Sequence, residues 1–485
     1  MNIVDPVWLH ARLSPDAPAV FAPEPNRDPI TYDQLRRLAN SVSAIAIAFG
    51  LPPRSVVGLL VVDPALHLAI TLGLLQVGIA AVALRSASVP STFKVAAVIS
   101  DRVQSVIDAP RTIVIDETWF KGAGTAPPAD PNRRVSPDDL CRIVLTSGST
   151  GAPRAVGFTH HSLALRVASF DYVYGHRLPR SRRLYCDLGL GSSLAFMHVM
   201  HALMRGGMVL LNGSDRMGTL QALNLYGIDH IVTSPHGLGE LVKSYEAALG
   251  VLHSQMNLIM VAGGELRAEL VMRTCAALGP NILNAYGSTE VSRIATGDAR
   301  AMLNTRGGMG YVLPGADLEV VDDADRPLPK GQEGILRMRR PEMVDGYIGD
   351  PVATAEFFRN GWFYPGDLGR LTEEGLLVVS GRIGTRLNVG GEKINPEVVE
   401  AALVSCPGVA DAAVFTLPNA LGIDEVHALV VADRFDERLL REHCMQTVPR
   451  IFAPSRFTRV LAIPRNEMGK IDRPKLPMLG QAHPI

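Results

Sequence analysis

The sequence predicts an α/β protein. It has a large N-terminal domain of layered α/β subdomains, which includes a small β-rich subdomain, and then a small α+β C-terminal domain. Three observations predict it. Between residues 30 and 280, short apolar runs alternate with longer helical stretches, the pattern of βα units with largely parallel strands. From about residue 310 the texture changes to short strands separated by turns. At 485 residues, the chain exceeds the size at which one hydrophobic core stops growing. The expected boundaries are 1–381 for the N-terminal domain, β-rich from about 310, and 382–485 for the C-terminal domain.

Taken in order, Thr31-Tyr32-Asp33-Gln34-Leu35 opens a helix that continues through Leu38, Val42 and Ile45. Ser55 to Val62 reads as a strand. Ala65 to Leu84 is twenty residues, nearly all apolar, long enough to cross a bilayer. His67 and Gln76 lie within it, and Gly73 and Gly78 break it. It therefore reads as a buried helix (Ala65–Gln76) and a buried strand (Ile79–Leu84). The Pro/Asp/Ala-rich patch at 126–138 reads as a surface loop before a strand at 142–145. Helices are expected at Ser162–Phe170, Ser193–Met204, Gly237–Leu249 and Ala268–Ala277. Strands are expected at Met208–Leu211, His230–Thr233 and Leu258–Ala262. Leu318–Val321, Gly334–Met338, Trp362–Tyr364 and Leu376–Val379 are the short strands of the β-rich part. Beyond Gly381 come αβ units such as Pro396–Val404 and Val409–Phe415.

Composition narrows the function classes. Formal net charge is −1, so nothing suggests a nucleic-acid footprint. Only seven of the 47 basic residues are Lys (94, 121, 243, 330, 393, 470 and 475), so a Lys at a chemically critical place is telling. Five widely spaced cysteines without a Cys-x-x-Cys argue against a disulfide framework or structural zinc, and fit a reducing cytosol. The first residues, Met-Asn-Ile-Val-Asp-Pro, lack a basic segment followed by an apolar run, so the expectation is a cytoplasmic protein without a membrane span.

Five motifs carry chemistry. The first is Thr146-Ser147-Gly148-Ser149-Thr150-Gly151, directly after the apolar run Ile143-Val144-Leu145. Its glycines permit a tight turn and close approach of a ligand, and its hydroxyls add donors to the backbone N–H groups. That surface suits a polyphosphate, although a solvated linker has the same composition. It is not the G-x-x-x-x-G-K-[ST] phosphate loop, because no Lys-Ser or Lys-Thr follows. The second is Asn284-Ala285-Tyr286-Gly287-Ser288-Thr289-Glu290 at a strand end. It offers a ring for stacking, a hydroxyl for a phosphate and a hard carboxylate for Mg²⁺; an ordinary turn with a capping Thr is the alternative. The third, Gly361-Trp362-Phe363-Tyr364-Pro365-Gly366-Asp367, ends in an Asp suited to the two hydroxyls of a ribose, or to capping a turn. The fourth is Gly381-Arg382 with Asn388-Val389-Gly390-Gly391-Glu392-Lys393-Ile394-Asn395-Pro396, a diglycine turn before a Pro-initiated helix. The fifth, Asn466 to Arg473, is a polar hairpin presenting Lys470.

In this order and at these separations, the five motifs resemble the adenylate-forming superfamily of acyl-CoA synthetases, peptide-synthetase adenylation domains and beetle luciferases. The look is nearest to acyl- or aryl-CoA ligases, and the resemblance covers nearly the whole chain. It implies attack of a carboxylate on the α-phosphate of Mg-ATP, giving an acyl-adenylate and pyrophosphate. A thiol, of coenzyme A or of carrier-protein phosphopantetheine, then displaces AMP. Residue by residue, it implies that Thr146 to Gly151, with Arg154 at the edge, hold the β- and γ-phosphates. Tyr286 stacks on adenine, flanked by Ala285 and Gly287, with Gly264 and Glu265 lining the base pocket. Thr289 meets the α-phosphate and Glu290 the Mg²⁺. Asp367 binds the ribose, with Arg382 nearby. Lys470 bridges ATP and carboxylate oxygens, where a compact point charge suits a tight site. The resemblance also implies a mobile C-terminal domain. It turns about the segment after Gly381-Arg382, removes Lys470 and brings Gly390-Gly391 to the site for the thiol step, with Lys393 near a CoA phosphate.

The chain departs from the family pattern in places. The phosphate loop ends Pro153-Arg154-Ala155 rather than Pro-Lys-Gly, the hinge residue is Gly384, and Pro365 replaces a hydroxyl residue. Where the acyl-pocket helix commonly begins with an aromatic-His pair, this chain has Leu190-Gly191, which reshapes the pocket. Ser193 stands where amino-acid-activating domains carry an Asp, and no carrier domain is expected after Ile485. Both lower the amino-acid reading. The similarity of Gly390 to Pro396 to the matching turn of acyl- and aryl-CoA ligases, where Lys393 is either a contact for a CoA phosphate or a solvated turn residue, implies a small to medium or aromatic carboxylic acid with coenzyme A as acceptor. A stand-alone enzyme loading a separate carrier protein is the first alternative. A non-catalytic adenylate-binding protein is the second, against which Glu290, Asp367 and Lys470 argue. Arg293, three residues past Glu290, is either a contact for a polar group on the acid or one half of a structural ion pair.

Overall fold

The computed structural model describes residues 2–22, 28–84, 86–102, 106–116, 119, 134–147, 153–174, 183–211, 216–247, 256–383, 387–389, 392–418, 424–466 and 469–481. These form two compact units, Met1–Leu318 with Met338–Phe363, and Glu319–Arg337 with Tyr364–Ile485.

The first unit holds a six-stranded sheet in the order Thr112–Val114, Ala97–Ser100, Val56–Leu60, Ala80–Ala83, Leu140–Ser147, Pro153–Thr159. All neighbours are parallel except the last pair, an antiparallel hairpin that sets Thr146 opposite Arg154. The apolar stretch after residue 64 forms the helix Pro64–Gln76, which packs against this sheet, and then the strand Ala80–Ala83 within it. Asp63 caps the helix through its carboxylate, and Leu68, Ile70, Leu72, Leu74 and Leu75 are fully buried. Each such side chain is worth about 1.5–3 kcal/mol of hydrophobic stabilisation. Gly73 allows the neighbouring helix Tyr32–Ala48 to approach, since a Cβ there would lie 2.5 Å from Ala39 O. Among the described residues, no helix is long and apolar enough to cross a membrane.

In this unit, a larger sheet includes the run Gly308–Val312, Ser292–Asp298, Ile282–Ser288, Leu258–Ala262, His230–Thr233, Arg183–Cys186, Met208–Leu211, Pro18–Phe21, Ile30–Thr31. From 282–288 to 18–21 the strands are parallel, and Ser292–Asp298 folds back on Ile282–Ser288. Parallel strands need crossovers, supplied by the helices Ser193–Met204, Arg216–Leu225, Pro235–Ala247 and Ala268–Ala277. Ligands in such sheets bind beyond the carboxyl ends of the strands, which here are Cys186, Thr233 and Ala262.

In the second unit, Val409–Pro418 pairs antiparallel with Asp424–Ala432, which pairs parallel with Arg456–Arg459. The helices Pro396–Val404 and Glu437–Cys444 complete a core of Val399, Leu403, Val414, Ala428, Val430, Leu440 and Phe457. Asp367–Leu371 and Leu376–Arg382 form a hairpin in the same unit. The stretch expected to be β-rich does form short strands. Of it, 338–363 groups with the first unit, and 319–337 and 364–381 with the second.

Candidate active site

In the first unit the phosphate-loop motif opens as the hairpin Leu140–Ser147 and Pro153–Thr159. Thr146 Oγ1 donates to Arg154 O at 3.4 Å. Ser147 ends its strand, and Gly148, Ser149, Thr150 and Gly151 lie outside the described residues. Arg154 is buried, with its guanidinium carbon 4.1 Å from the Phe357 ring centre and 5.5 Å from that of Tyr347.

The second motif is half strand and half turn. Ala285, Tyr286, Gly287 and Ser288 are the end of the 282–288 strand, and the 289–291 turn leads into Ser292–Asp298. The hairpin is tight. A Cβ on Gly287 would lie 2.2 Å from Ser292 O, and Ser292 itself has φ 78°, a conformation that is uncommon for a non-glycine residue. Glu290 is buried, and its Oε1 accepts a 2.9 Å hydrogen bond from the Tyr347 hydroxyl. Burial first, and then the adjacent Glu290, push the Tyr347 hydroxyl far above the usual tyrosine range, so Tyr347 stays a donor. Among the described residues, no Lys or Arg forms an ion pair with Glu290. Nor do they contain a cluster of three or more acidic, His or Cys residues able to cage a metal. One carboxylate of this kind, completed by phosphate oxygens and water, is the donor set Mg²⁺ takes with nucleotides. Glu290 fits that role.

Behind this turn lies a residue that sequence reasoning missed. Arg166, on the helix His160–Tyr174, is fully buried. Its Nη1 donates to Thr289 O at 2.7 Å, its Nη2 to Glu290 O and Glu342 O at 2.8 Å each, and its Nε to Glu342 O at 3.1 Å. Burial pushes its pKa down to about 10, which leaves it charged at neutral pH. The signal was present: Leu163, Arg166, Val167, Phe170 and Tyr174 share the buried stripe of that helix, so the Arg sits where an apolar residue belongs. Tyr347 was missed too, because it is 57 residues from the Glu290 it holds.

At the carboxyl end of Arg183–Cys186, Leu190 and Gly191 precede the helix Ser193–Met204, whose start is capped by Ser192. Arg142, fully buried and stacked 4.0 Å from the Phe196 ring centre, donates to Leu190 O. Ser193 Oγ is buried without a hydrogen-bond partner among the described residues. Gly264 follows the strand Leu258–Ala262, and a Cβ there would lie 3.4 Å from the Pro235 ring. Glu265 pairs with Arg306 at 3.6 Å. Arg293 is buried but is not half of an ion pair among the described residues. Its guanidinium lies 3.7 Å from the Phe170 ring centre and 4.7 Å from that of Tyr174, and donates to Ser169 Oγ at 3.1 Å. Ring faces and a hydroxyl hold it, where the sequence alternatives were a carboxylate or the substrate.

In the second unit, Asp367 and Arg382 face each other across the hairpin, and Arg382 Nε donates to Asp367 Oδ1 at 2.6 Å. The Asp is buried while the Arg side chain is half exposed. Lys393 lies in the strand Glu392–Ile394, paired with Leu387–Val389; Gly390, Gly391 and Gly384 lie outside the described residues. Lys470 is exposed on a hairpin closed by Arg465 and Ile471, with Asn466 N donating to Lys470 O at 2.8 Å. Two arginines that the sequence did not single out in this role anchor its ends. Arg465 pairs with Asp411 at 2.6 Å and donates to Gly469 O at 3.0 Å. Arg473 donates to the buried Glu400 at 3.0 Å and to Glu397 at 3.2 Å.

Known proteins share both sequence and architecture. The family described as AMP-binding enzyme matches residues 7–348, and its C-terminal domain matches residues 398–470. A probable non-canonical nonribosomal peptide synthetase, CymA of Salinispora arenicola, is 30% identical over 96% of this chain, which spans 6% of that protein's length. The long-chain-fatty-acid–CoA ligase FadD13 of Mycobacterium tuberculosis is 27% identical over 96% of each chain. The fold matches O-succinylbenzoate coenzyme A synthetase (MenE) of Bacillus subtilis, solved with ATP and magnesium ion. That match has a TM-score of 0.83, covers 98% of this chain and 99% of that one, and has 21% identity. The chain therefore belongs to the AMP-binding enzyme family.

Proposed function

We propose that the protein is an ATP-dependent acid–thiol ligase that activates a small to medium or aromatic carboxylic acid and transfers it to coenzyme A. The single observation that carries the reading is the Thr289–Glu290 turn. It presents a hydroxyl beside a buried carboxylate that is held by a neutral donor, Tyr347, and that forms no ion pair among the described residues. In this reading, the acid's carboxylate oxygen attacks the α-phosphorus and the bond to the bridging oxygen of pyrophosphate breaks. The thiolate sulfur then attacks the acyl carbon and AMP leaves. Glu290 would hold the Mg²⁺ of the nucleotide complex, which would supply charge neutralisation for the departing pyrophosphate.

The other roles belong to the same reading. Thr146 to Gly151 and Arg154 border the β- and γ-phosphates, Tyr286 stacks on adenine beside Gly264, and Asp367 takes the ribose. Lys470 neutralises charge as the acid attacks. Both steps move negative charge, so positioning and electrostatics dominate the rate. In the same reading, rotation of the C-terminal domain after Arg382 exchanges Lys470 for Gly390 and Gly391 between the steps. Leu190, Gly191, Ser193 and Arg293 border the acyl group.

The similarity to a peptide synthetase favours a second reading, in which the acceptor is the phosphopantetheine thiol of a separate carrier protein. A panel of carboxylic acids assayed for pyrophosphate release with and without coenzyme A separates the two. Acyl-CoA formation supports the first reading. Adenylate that forms but is not passed to coenzyme A supports the second. No release with any acid removes both.

A further inference from the structure

Arg166 and Tyr347 lie outside every motif of the site, yet both converge on Glu290. Arg166 takes the carbonyls of two consecutive residues, Thr289 and Glu290, at 2.7 and 2.8 Å, and with them the carbonyl of Glu342. Val344 N donates to the same Glu290 O at 3.0 Å. Three residues on, Tyr347 reaches the Glu290 carboxylate at 2.9 Å. The segment 342–347 and the Arg166 fork therefore fix both the backbone and the side chain of one residue. A guanidinium suits this task because its donors are planar and rigidly spaced, whereas an ammonium is a point charge on a flexible stem.

The geometry has a directional consequence. A trans peptide sets each C=O opposite the next N–H. With Thr289 O turned inward to Arg166, the Glu290 N–H faces the other way. The Arg154 guanidinium lies 4.1 Å from the Phe357 ring centre and 5.5 Å from that of Tyr347. A carboxylate left to itself on a tight hairpin has several rotamers, and binding a metal with one of them costs the entropy of choosing it. Here the choice is made by Tyr347, and the turn beneath is locked by Arg166.

We infer that Arg166 and Tyr347 are positioning residues that hold Glu290 in place for the divalent cation of the nucleotide complex. This rests on the proposed nucleotide function. Neither residue touches the reacting atoms in this account. Removing outer partners of this kind weakens metal affinity by roughly 10- to 100-fold.

The test is a titration of wild type, Arg166→Lys and Tyr347→Phe with Mn²⁺ in the presence of ATP, followed by electron paramagnetic resonance. ATP binding without metal and circular dichroism are measured in parallel. Both variants should raise the Mn²⁺ concentration at half-saturation, Arg166→Lys by roughly 10-fold or more, while metal-free ATP binding and the fold stay as in wild type. A folded Arg166→Lys that titrates like wild type overturns the inference. If Arg166→Lys does not fold, Tyr347→Phe decides alone, since it deletes one oxygen and keeps the ring near Arg154; an unshifted titration overturns the inference. A wild type that binds no ATP with or without metal removes the nucleotide reading and this inference together. Wild-type binding with unshifted variants removes only the inference.

Discussion

Replacing Arg473 by Met tests how the Lys470 hairpin is held. Arg473 donates to Glu400 Oε1 at 3.0 Å and Oε2 at 3.3 Å, to Glu397 at 3.2 Å and to Val414 O at 3.2 Å. Glu400 is 4% exposed, and burial already raises its pKa above the usual carboxylate range in spite of Arg473. Without the Arg, Glu400 becomes a buried charge whose remaining donor among the described residues is Val414 N, at 3.0 Å. Breaking such a pair costs about 3–5 kcal/mol. For a unit of about 140 residues, roughly 3–4 °C accompanies each kcal/mol, so its transition should fall by roughly 10 °C or more. The loss depends on pH. A carboxyl whose folded pKa is raised stabilises the fold fully below its unfolded pKa, and that contribution is lost as pH rises through the folded pKa. Removing Arg473 raises the folded pKa further. The gap between wild type and variant should therefore be small in mild acid and widen towards neutral and alkaline pH. Calorimetry of the full chain across that range reads it. Adding Glu400→Gln to Arg473→Met should restore much of the loss, because it removes the stranded charge. A small shift that is the same at all pH values, with no effect of the second substitution, refutes the reasoning.

Three further outcomes are expected. Gly287→Ala places a Cβ 2.2 Å from Ser292 O, a backbone atom that cannot swing away. It should destabilise the first unit by about 1–3 kcal/mol and abolish adenylation, read by thermal denaturation and pyrophosphate release. Asp367→Asn removes the charge that Arg382 and the proposed ribose share; it should raise KM for ATP by roughly 10-fold and leave KM for the acid unchanged in steady-state kinetics. Lys470→Ala should slow adenylation by roughly 10²-fold or more, whereas thiolysis of a supplied acyl-adenylate continues at the wild-type rate. Equal loss in both steps contradicts the alternation of the C-terminal domain.

Much of the fold was legible because local signals agreed with the tertiary outcome. The helix Ser193–Met204 begins at a Ser cap and ends before Gly206-Gly207, so periodicity and punctuation name the same boundaries. The strands Met208–Leu211, His230–Thr233 and Leu258–Ala262 are continuous apolar runs, as buried parallel strands require. The helix at 160–174 starts earlier and runs further than its apolar core suggests, because His160 and Tyr174 are buried by distant segments. The motif residues were legible for a different reason: small, hydroxylic and acidic residues concentrate at turns, where sequence is read directly. Their supports were not. Arg142, Arg166, Arg465 and Arg473 look like solvated charges in a chain rich in Arg. Only the approach of segments far apart in sequence gives them partners, as when Arg166 meets Glu342 O across 176 positions. The fate of Arg293 was open for the same reason, since nothing near it in sequence names Phe170 and Tyr174 as its neighbours.

The central claim is that this chain forms an acyl-adenylate, and thiol-free exchange of isotopic pyrophosphate into ATP tests it most directly. With wild-type protein and Mg²⁺, exchange should depend on one class of carboxylic acid, need no coenzyme A, and fall sharply in Glu290→Gln. Absence of acid-dependent exchange across aliphatic and aromatic acids, from a folded protein that binds ATP, would contradict it.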